Sequence, residues 1–188
     1  MNLTAERLAE ILTRHESAGY ITTAVETGTF RGERAELFAC VFETVHTIEL
    51  SSKLFHESRP RLTDLGVICY LGDSRTYVPI LASAIQAPAL WYLDAHWFSL
   101  NRQKSRAGYA RDAEAQIAGQ AEGLPLWGEL EALAEREFAD VIVVDDARDF
   151  GRSEPTPEWE DISLERIAAY FPDHQEAAIM GDQAVVWR

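Results

Sequence analysis

Residues 24–32, AVETGTFRG, decide the fold of this chain. An apolar run, Ala24 and Val25, ends on the acid Glu26, and two glycines, Gly28 and Gly32, bracket the turn beyond it. Glycine tolerates positive φ and lets a main chain approach a ligand closely, so a strand, a tight turn and a helix start are expected in that order. The helix N-terminus favours an electronegative group, whereas the Glu26 carboxylate accepts from an ammonium or a hydroxyl. A nucleotide-like ligand carrying a positive charge fits both. The glycines alone do not specify one: the dinucleotide fingerprint wants three, as G-x-G-x-x-G, and a plain strand-to-helix turn looks the same.

The order of the downstream segments narrows the reading. Residues 45–49, VHTIE, form a second short strand ending in an acid about twenty residues after the glycine turn, where an α/β nucleotide-binding fold places its ribose-hydroxyl acceptor. Three more apolar runs end in polar chemistry: residues 67–71 before Gly72-Asp73-Ser74, residues 89–93 before Asp94-Ala95-His96, and residues 141–144 before Asp145-Asp146. In an open parallel sheet ligands bind outside the carboxyl ends of the strands, so these acids are expected to converge on one rim.

Between the strands, residues 33–41, 52–64, 75–85 and 125–138 carry apolar side chains at helical spacing, such as Leu126, Leu130, Leu133 and Phe138. Pro125 suits a first helical turn. An amphipathic segment over residues 4–16, with Leu8, Ile11 and Leu12 on one face and Thr4 as its cap, reads as a helix that covers the sheet. Residues 176–180 and 184–187 flank Gly181-Asp182-Gln183, a link short enough to join only antiparallel neighbours, so a hairpin is expected. Residues 97–124 make an unusually long connection holding Arg102, Lys104, Arg106 and Arg111 around Tyr109, a cationic loop suited to an acceptor's carboxylate or phosphate, or else a solvated loop with a short helix. The segment after Gly151, with Pro155, Pro157 and Trp159, is a second lid candidate or a linker to a helix near Ile162.

Composition bounds the rest. The 188 residues are 47% hydrophobic, enough for one three-layer domain over residues 1–188 and little more. Seventeen basic residues against 31 acidic give a net charge of -14, which argues against duplex DNA or bulk RNA and for a small-molecule substrate. Cys40, on an expected helix, and Cys69, in an expected strand, lack zinc spacing and read as buried thiols of a reducing compartment. No leader pattern or membrane-length apolar run occurs, so a cytoplasmic protein without membrane contact is expected. A homodimer is left open.

On these residues the chain resembles the class I S-adenosylmethionine-dependent methyltransferases over nearly its whole length. Glu26-Thr27-Gly28-Thr29-Phe30-Arg31-Gly32 resembles their motif I, Glu49 with Leu50 their ribose-binding acid, and Gly72-Asp73-Ser74 the loop flanking the adenine; Asp94 sits where their motif IV acid sits. The resemblance implies a Rossmann-like α/β fold, a three-layer αβα sandwich on a mostly parallel seven-stranded sheet whose antiparallel seventh strand inserts beside the fifth. It implies S-adenosylmethionine as cofactor, held by Glu26, Thr27, Gly28, Thr29, Phe30, Gly32, Glu49, Leu50, Gly72, Asp73, Ser74 and Asp94.

The acids allow a finer expectation. Magnesium takes oxygen ligands and keeps several waters, so Asp94, Asp145 and Asp146 supply a set that leaves room for a substrate hydroxyl. One acid after the fourth strand and an acidic pair after the fifth resembles the macrocin-type small-molecule O-methyltransferases, in which a metal would lower the pKa of the acceptor hydroxyl and His96 would serve as base. Leu93-Asp94-Ala95-His96 and Asp145-Asp146-Ala147-Arg148 are also similar to uncharacterised methyltransferase-like proteins. The plainer alternatives are that Asp145 and Asp146 cap a turn or pair with Arg148 and Arg152, that His96 bonds a rim carboxylate, and that Asp73 closes a turn. Arg102 and Arg106 are the candidates for an anionic acceptor. O-methylation of a small hydroxylated metabolite leads; a non-catalytic ligand-binding protein on the same fold is the alternative, and a nicotinamide-dependent oxidoreductase is disfavoured because Glu26 would lie beside a pyrophosphate.

Overall fold

The computed structural model describes residues 3–15, 20–95, 124–153 and 159–188. Helix α1 (Ala5–Thr13) precedes strand β1 (Thr23–Thr27), α2 (Glu33–Ala39), β2 (Thr44–Glu49), α3 (Ser52–Asp64), β3 (Ile68–Leu71), α4 (Ser74–Ala84) and β4 (Ala89–Leu93). Helix α5 (Leu126–Ala134), β5 (Val141–Val144), a 3-10 turn (Ala147–Asp149), α6 (Leu164–Ala168), β6 (Glu176–Met180) and β7 (Gln183–Trp187) complete the described elements. The seven strands form one sheet in the order β3-β2-β1-β4-β5-β7-β6, parallel from β3 to β5, with β7 antiparallel to both β5 and β6.

Strand alternation sorts two cores onto the two faces of the sheet. Val25, Trp91, Leu93, Ile142 and Val144 pack with Val78, Leu81, Leu130, Leu133 and Ile167 of α4, α5 and α6. Ala24, Leu90, Tyr92, Val141 and Val143 pack with Leu8, Ile11, Phe38 and Leu62 of α1, α2 and α3. The central strands are buried on both sides, which is why they read as unbroken apolar runs. Thr4 caps α1 as expected, accepting from the Arg7 N–H at 3.2 Å, and α1 is pinned to β7 by Trp187 Nε1 donating to the Ile11 carbonyl at 3.0 Å.

Several boundaries differ from the sequence expectation. The α2 helix stops at Ala39 because the N–H groups of Cys40 and Val41 bond three residues back, to Leu37 and Phe38, tightening the last turn. Cys40 is therefore exposed and Cys69 only half-buried, since β3 is an edge strand; neither is the buried thiol expected. Helix α5 ends at Ala134 rather than reaching Phe138. There Arg136 leaves the helical path to donate to the carbonyls of Ala82, Ile85 and Ala87 at 2.5, 2.7 and 2.8 Å, while its Nε meets Asp140 at 2.7 Å. Asp140 in turn accepts from the Ala89 N–H at 2.9 Å, so this buried pair joins the ends of α4 and α5 to the start of β4.

Candidate functional site

The strand order reverses between β1 and β4, so the crevice for a ligand opens over the carboxyl ends of these two strands. Gly28 shapes it: φ is +82°, and a Cβ there would stand 2.5 Å from the Asp94 carbonyl oxygen. Only glycine meets both demands. Phe30 also has a positive φ of 51°, a costly conformation for an aromatic residue. It aims the Phe30 N–H at Glu49 Oε2, 2.7 Å away.

Glu49 ends β2 and is buried. Its Oε1 accepts from the Ser51 N–H at 2.8 Å, and the Leu50 N–H also bonds the carboxylate. Burial pushes this carboxyl up against the pull of those donors. A carboxylate has about four acceptor sites, so three backbone donors do not exhaust it.

Glu26 ends the same crevice from the α2 side. It is fully buried; Oε2 accepts from the Thr47 hydroxyl at 2.6 Å, and Thr29 supports that hydroxyl at 2.6 Å. Oε1 has no hydrogen-bond partner and faces Arg34 Nη1 at 3.8 Å. Burial outweighs the attraction of Arg34 and pushes the carboxyl up to about 8. A buried oxygen without a donor is costly, and this one has room in its bonding for a ligand's N–H or ammonium.

The rim acids are held by arginines. Arg34, in the first turn of α2, forks between Asp94 and Asp145, with Nη2 2.8 Å from Asp145 Oδ2, and lies 4.2 Å from the Tyr92 ring centroid. Gln183 donates to the other Asp145 oxygen at 2.8 Å. Burial, then the neighbouring Asp94, pushes the Asp145 carboxyl up, and Arg34 opposes them. Arg148 pairs with both Asp146 and Asp182, and Asp182 also accepts from the Arg148 N–H at 3.1 Å. Asp146 thus makes the arginine pair that the sequence offered as the plainer alternative, whereas Arg152 lies 3.6 Å from Asp149.

The acidic group assembled among the described residues is Asp145, Asp146 and Asp182, whose oxygens lie within 4.8 Å of one another. It differs from the expected set: Asp94 is bound through Arg34 instead, and the hairpin turn brings Asp182 in its place. With two guanidiniums already among these acids, the arrangement is balanced by arginine and fits magnesium poorly.

Asp73 caps α4, accepting from the Arg75 N–H at 2.9 Å, and pairs with the Arg75 side chain at 2.6 Å. Partial burial works to raise its pKa, but these bonds hold it below the usual value. The turn-closing role read from sequence is present. Ser74, the first residue of α4, is buried. His96, Arg102 and Arg106 lie outside the described residues, as does most of the second lid; Trp159, from that segment, is buried.

Sequence reasoning missed Arg34, Asp182 and Glu129. The last sits on α5, buried, with Oε1 lacking any hydrogen-bond partner. Its signal was present: Leu126, Glu129, Leu130 and Leu133 share one helix face, and a carboxyl on an apolar stripe needs a reason. Arg34 left no comparable mark.

No family model matches the chain, and no curated protein matches its sequence. Solved structures match its fold, among them S-adenosylmethionine-dependent methyltransferases of class I at low identity. SMU.1697c from Streptococcus mutans, solved in complex with SAH, aligns over all of this chain and 98% of its own, at 13% identity and a TM-score of 0.55. N-methyltransferase NodS from Bradyrhizobium japonicum WM9 aligns over 97% of this chain and 94% of its own, at 13% identity and a TM-score of 0.55. The chain spans about half (48%) of the length of CalS10, an amino pentose methyltransferase from Micromonospora echinaspora, covering 75% of this chain at 17% identity and a TM-score of 0.47. The fold is that of the Rossmann-like methyltransferases. No described helix is long and apolar enough to cross a membrane.

Proposed function

We propose that the chain is an S-adenosylmethionine-dependent methyltransferase acting on a small-molecule acceptor. The observation that carries this is the open Glu26 oxygen beside Gly28 at the reversal point: the ammonium of the cofactor's amino-acid part would draw this pushed-up carboxyl into its charged form, whereas a pyrophosphate would not. When bound, the cofactor supplies an electrophilic methyl group on a sulfonium. Glu49 would accept from the ribose hydroxyls, Gly28 and Thr29 would line the close approach, and Gly72 to Ser74 would flank the base. Arg34 pairs with Asp94 and Asp145 and fixes them at the rim, on the side from which the acceptor would approach the sulfonium. We assign no metal-dependent step, because Arg34 and Arg148 already balance these acids.

Calorimetric titration with S-adenosylhomocysteine and with NAD tests the reading. Binding of the former in the low micromolar range is expected, with NAD far weaker. Losing a charge-assisted hydrogen bond costs about 1.5–3 kcal/mol, so Glu49→Ala should weaken binding roughly ten- to a hundredfold. Unchanged affinity in that variant removes the ribose assignment, and tighter NAD binding overturns the class.

A further inference from the structure

Strand β3 closes one side of the sheet, paired with β2 alone, and nothing in its sequence guards that edge. Its residues Ile68–Leu71 include neither a charge nor a proline, two devices that keep sheet edges from pairing. The other edge strand, β6, has such a guard: Glu176 is held by Arg14 at 2.5 Å and by His15 at 2.9 Å. Helix α4 meets the sheet chiefly over β2, so the near face of β3 is only partly covered, and Ile68 is 44% exposed. Tyr70, on the same face of β3, meets the Tyr77 ring of α4 with centroids 5.1 Å apart. Ile80 and Ala84 follow Tyr77 along that flank at helical spacing; both are exposed, Ile80 by 56%. The opposite flank of α4 faces α5, where Arg75 packs on Gly128.

This strip is uncharged in a chain of net charge -14. Every other described helix shows solvent a charged side chain, such as Glu10 of α1 or Glu57 of α3, whereas the exposed residues of α4 are Thr76, Pro79, Ile80, Ser83 and Ala84. A partner chosen by opposite charge finds nothing to bind there. A second copy does, because at this face two chains of the same negative charge touch without bringing like charges together.

We propose that the β3 edge and the adjoining flank of α4 form the contact between two copies of this chain, β3 pairing antiparallel with its own symmetry mate across a two-fold axis. The axis stands perpendicular to the sheet, so both α4 helices lie on the same face. Strands are spaced about 4.8 Å apart, which puts helices seated over β2 and its mate roughly 14 Å apart across the β3 pair. Helices in direct contact are about 8–10 Å apart, and Tyr77 and Ile80 of both copies fill the remaining gap of about 5 Å above Ile68 and Tyr70. A four-residue edge and one helix flank fall short of the roughly 20–30 residues a side of a standard interface, so the dimer is reversible, with Kd of about 10–100 µM. The contact needs no methyl donor and lies two strands from the crevice at β1 and β4.

Sedimentation equilibrium of the full chain from about 1 to about 500 µM tests this. The mass should rise from one chain to two and no further, because a two-fold contact is closed. Added sodium chloride should tighten the dimer, since salt screens the repulsion between two negative chains; an electrostatic contact would weaken instead. Ile80→Arg and Ile68→Lys, both at exposed sites, should each weaken dimerisation at least tenfold, because the axis brings two new charges together. Ile179→Lys, 48% exposed on β6, is the control for added charge at the other edge and should leave Kd unchanged within about twofold. Circular dichroism checks the fold of each variant, and Ile80, exposed on a helix surface, tests the face even where Ile68→Lys disturbs its strand. A chain monomeric at about 500 µM, a dimer that survives Ile80→Arg, dissociation in Ile179→Lys, masses beyond two chains, or weakening with salt overturns the proposal.

Discussion

Arg34→Met should expose what the ion-pair bridge is worth. Methionine keeps most of the apolar stem and deletes the guanidinium, which lies over the Tyr92 ring and reaches Asp94, Asp145 and Glu26. Breaking a fully buried pair costs about 3–5 kcal/mol. Arg34 is 15% exposed and Asp94 16%, so solvent screens part of this and about 2–4 kcal/mol is the working figure. For a chain of this size each kcal/mol lowers Tm by about 2–4 °C, giving a drop of roughly 4–16 °C. The sign of the pH dependence comes from burial, which already holds Asp145 above its ordinary value while Arg34 pulls it down. Without Arg34 the folded-state pKa rises further, the native state binds more protons than the unfolded chain, and stability falls as pH rises from the ordinary carboxylate range toward the folded pKa. Thermal melts by circular dichroism should therefore show a larger deficit at pH 8 than at pH 5. A shift under about 2 °C at both pH values, or a larger deficit at pH 5, would refute the reasoning.

Gly28→Ala forces a Cβ to 2.5 Å from the Asp94 carbonyl at a positive φ, so Tm should fall and S-adenosylhomocysteine affinity should drop at least tenfold. Gly66→Ala, whose Cβ meets nothing, is the control for φ alone and should leave affinity intact. Arg136→Met strands Asp140 and three carbonyls in the core; about 3–5 kcal/mol should be lost in urea unfolding, with ligand affinity of the folded protein unchanged within about twofold. Magnesium chloride titrated into the wild-type protein should give neither binding heat nor a Tm shift; micromolar binding would show that the cation outcompetes Arg34 and Arg148.

The legible part of the fold came from periodicity and punctuation. Unbroken apolar runs marked β4 and β5, a two-glycine turn placed the crevice, and the Gly181-Asp182 turn predicted the hairpin that puts β7 beside β5. The place of the acid at the end of β2 was readable because a strand end fixes where its side chain lies. Arg34 was not, because its partners are 60 and 111 residues away and no local spacing encodes them. The same blindness replaced Asp94 by Asp182 in the acidic group: three strand-end acids look equivalent until the hairpin's register brings a fourth among them. Helix ends were misjudged where a tertiary bond, as at Arg136, outweighed propensity.

The bond from Trp187 to Ile11 joins residues 176 positions apart. It has a consequence during synthesis. Helix α1 leaves the ribosome well before the strand it packs against is made. At about 5–20 residues per second, roughly ten to thirty-five seconds pass before β7 exists to cover Leu8 and Ile11. For that interval the amphipathic helix has no seat on the finished sheet, and nine residues are too few to hold helical form alone. Completion of the hairpin is thus the event that seats α1, and a ribosome stalled before residue 183 would hold a sheet with α1 undocked.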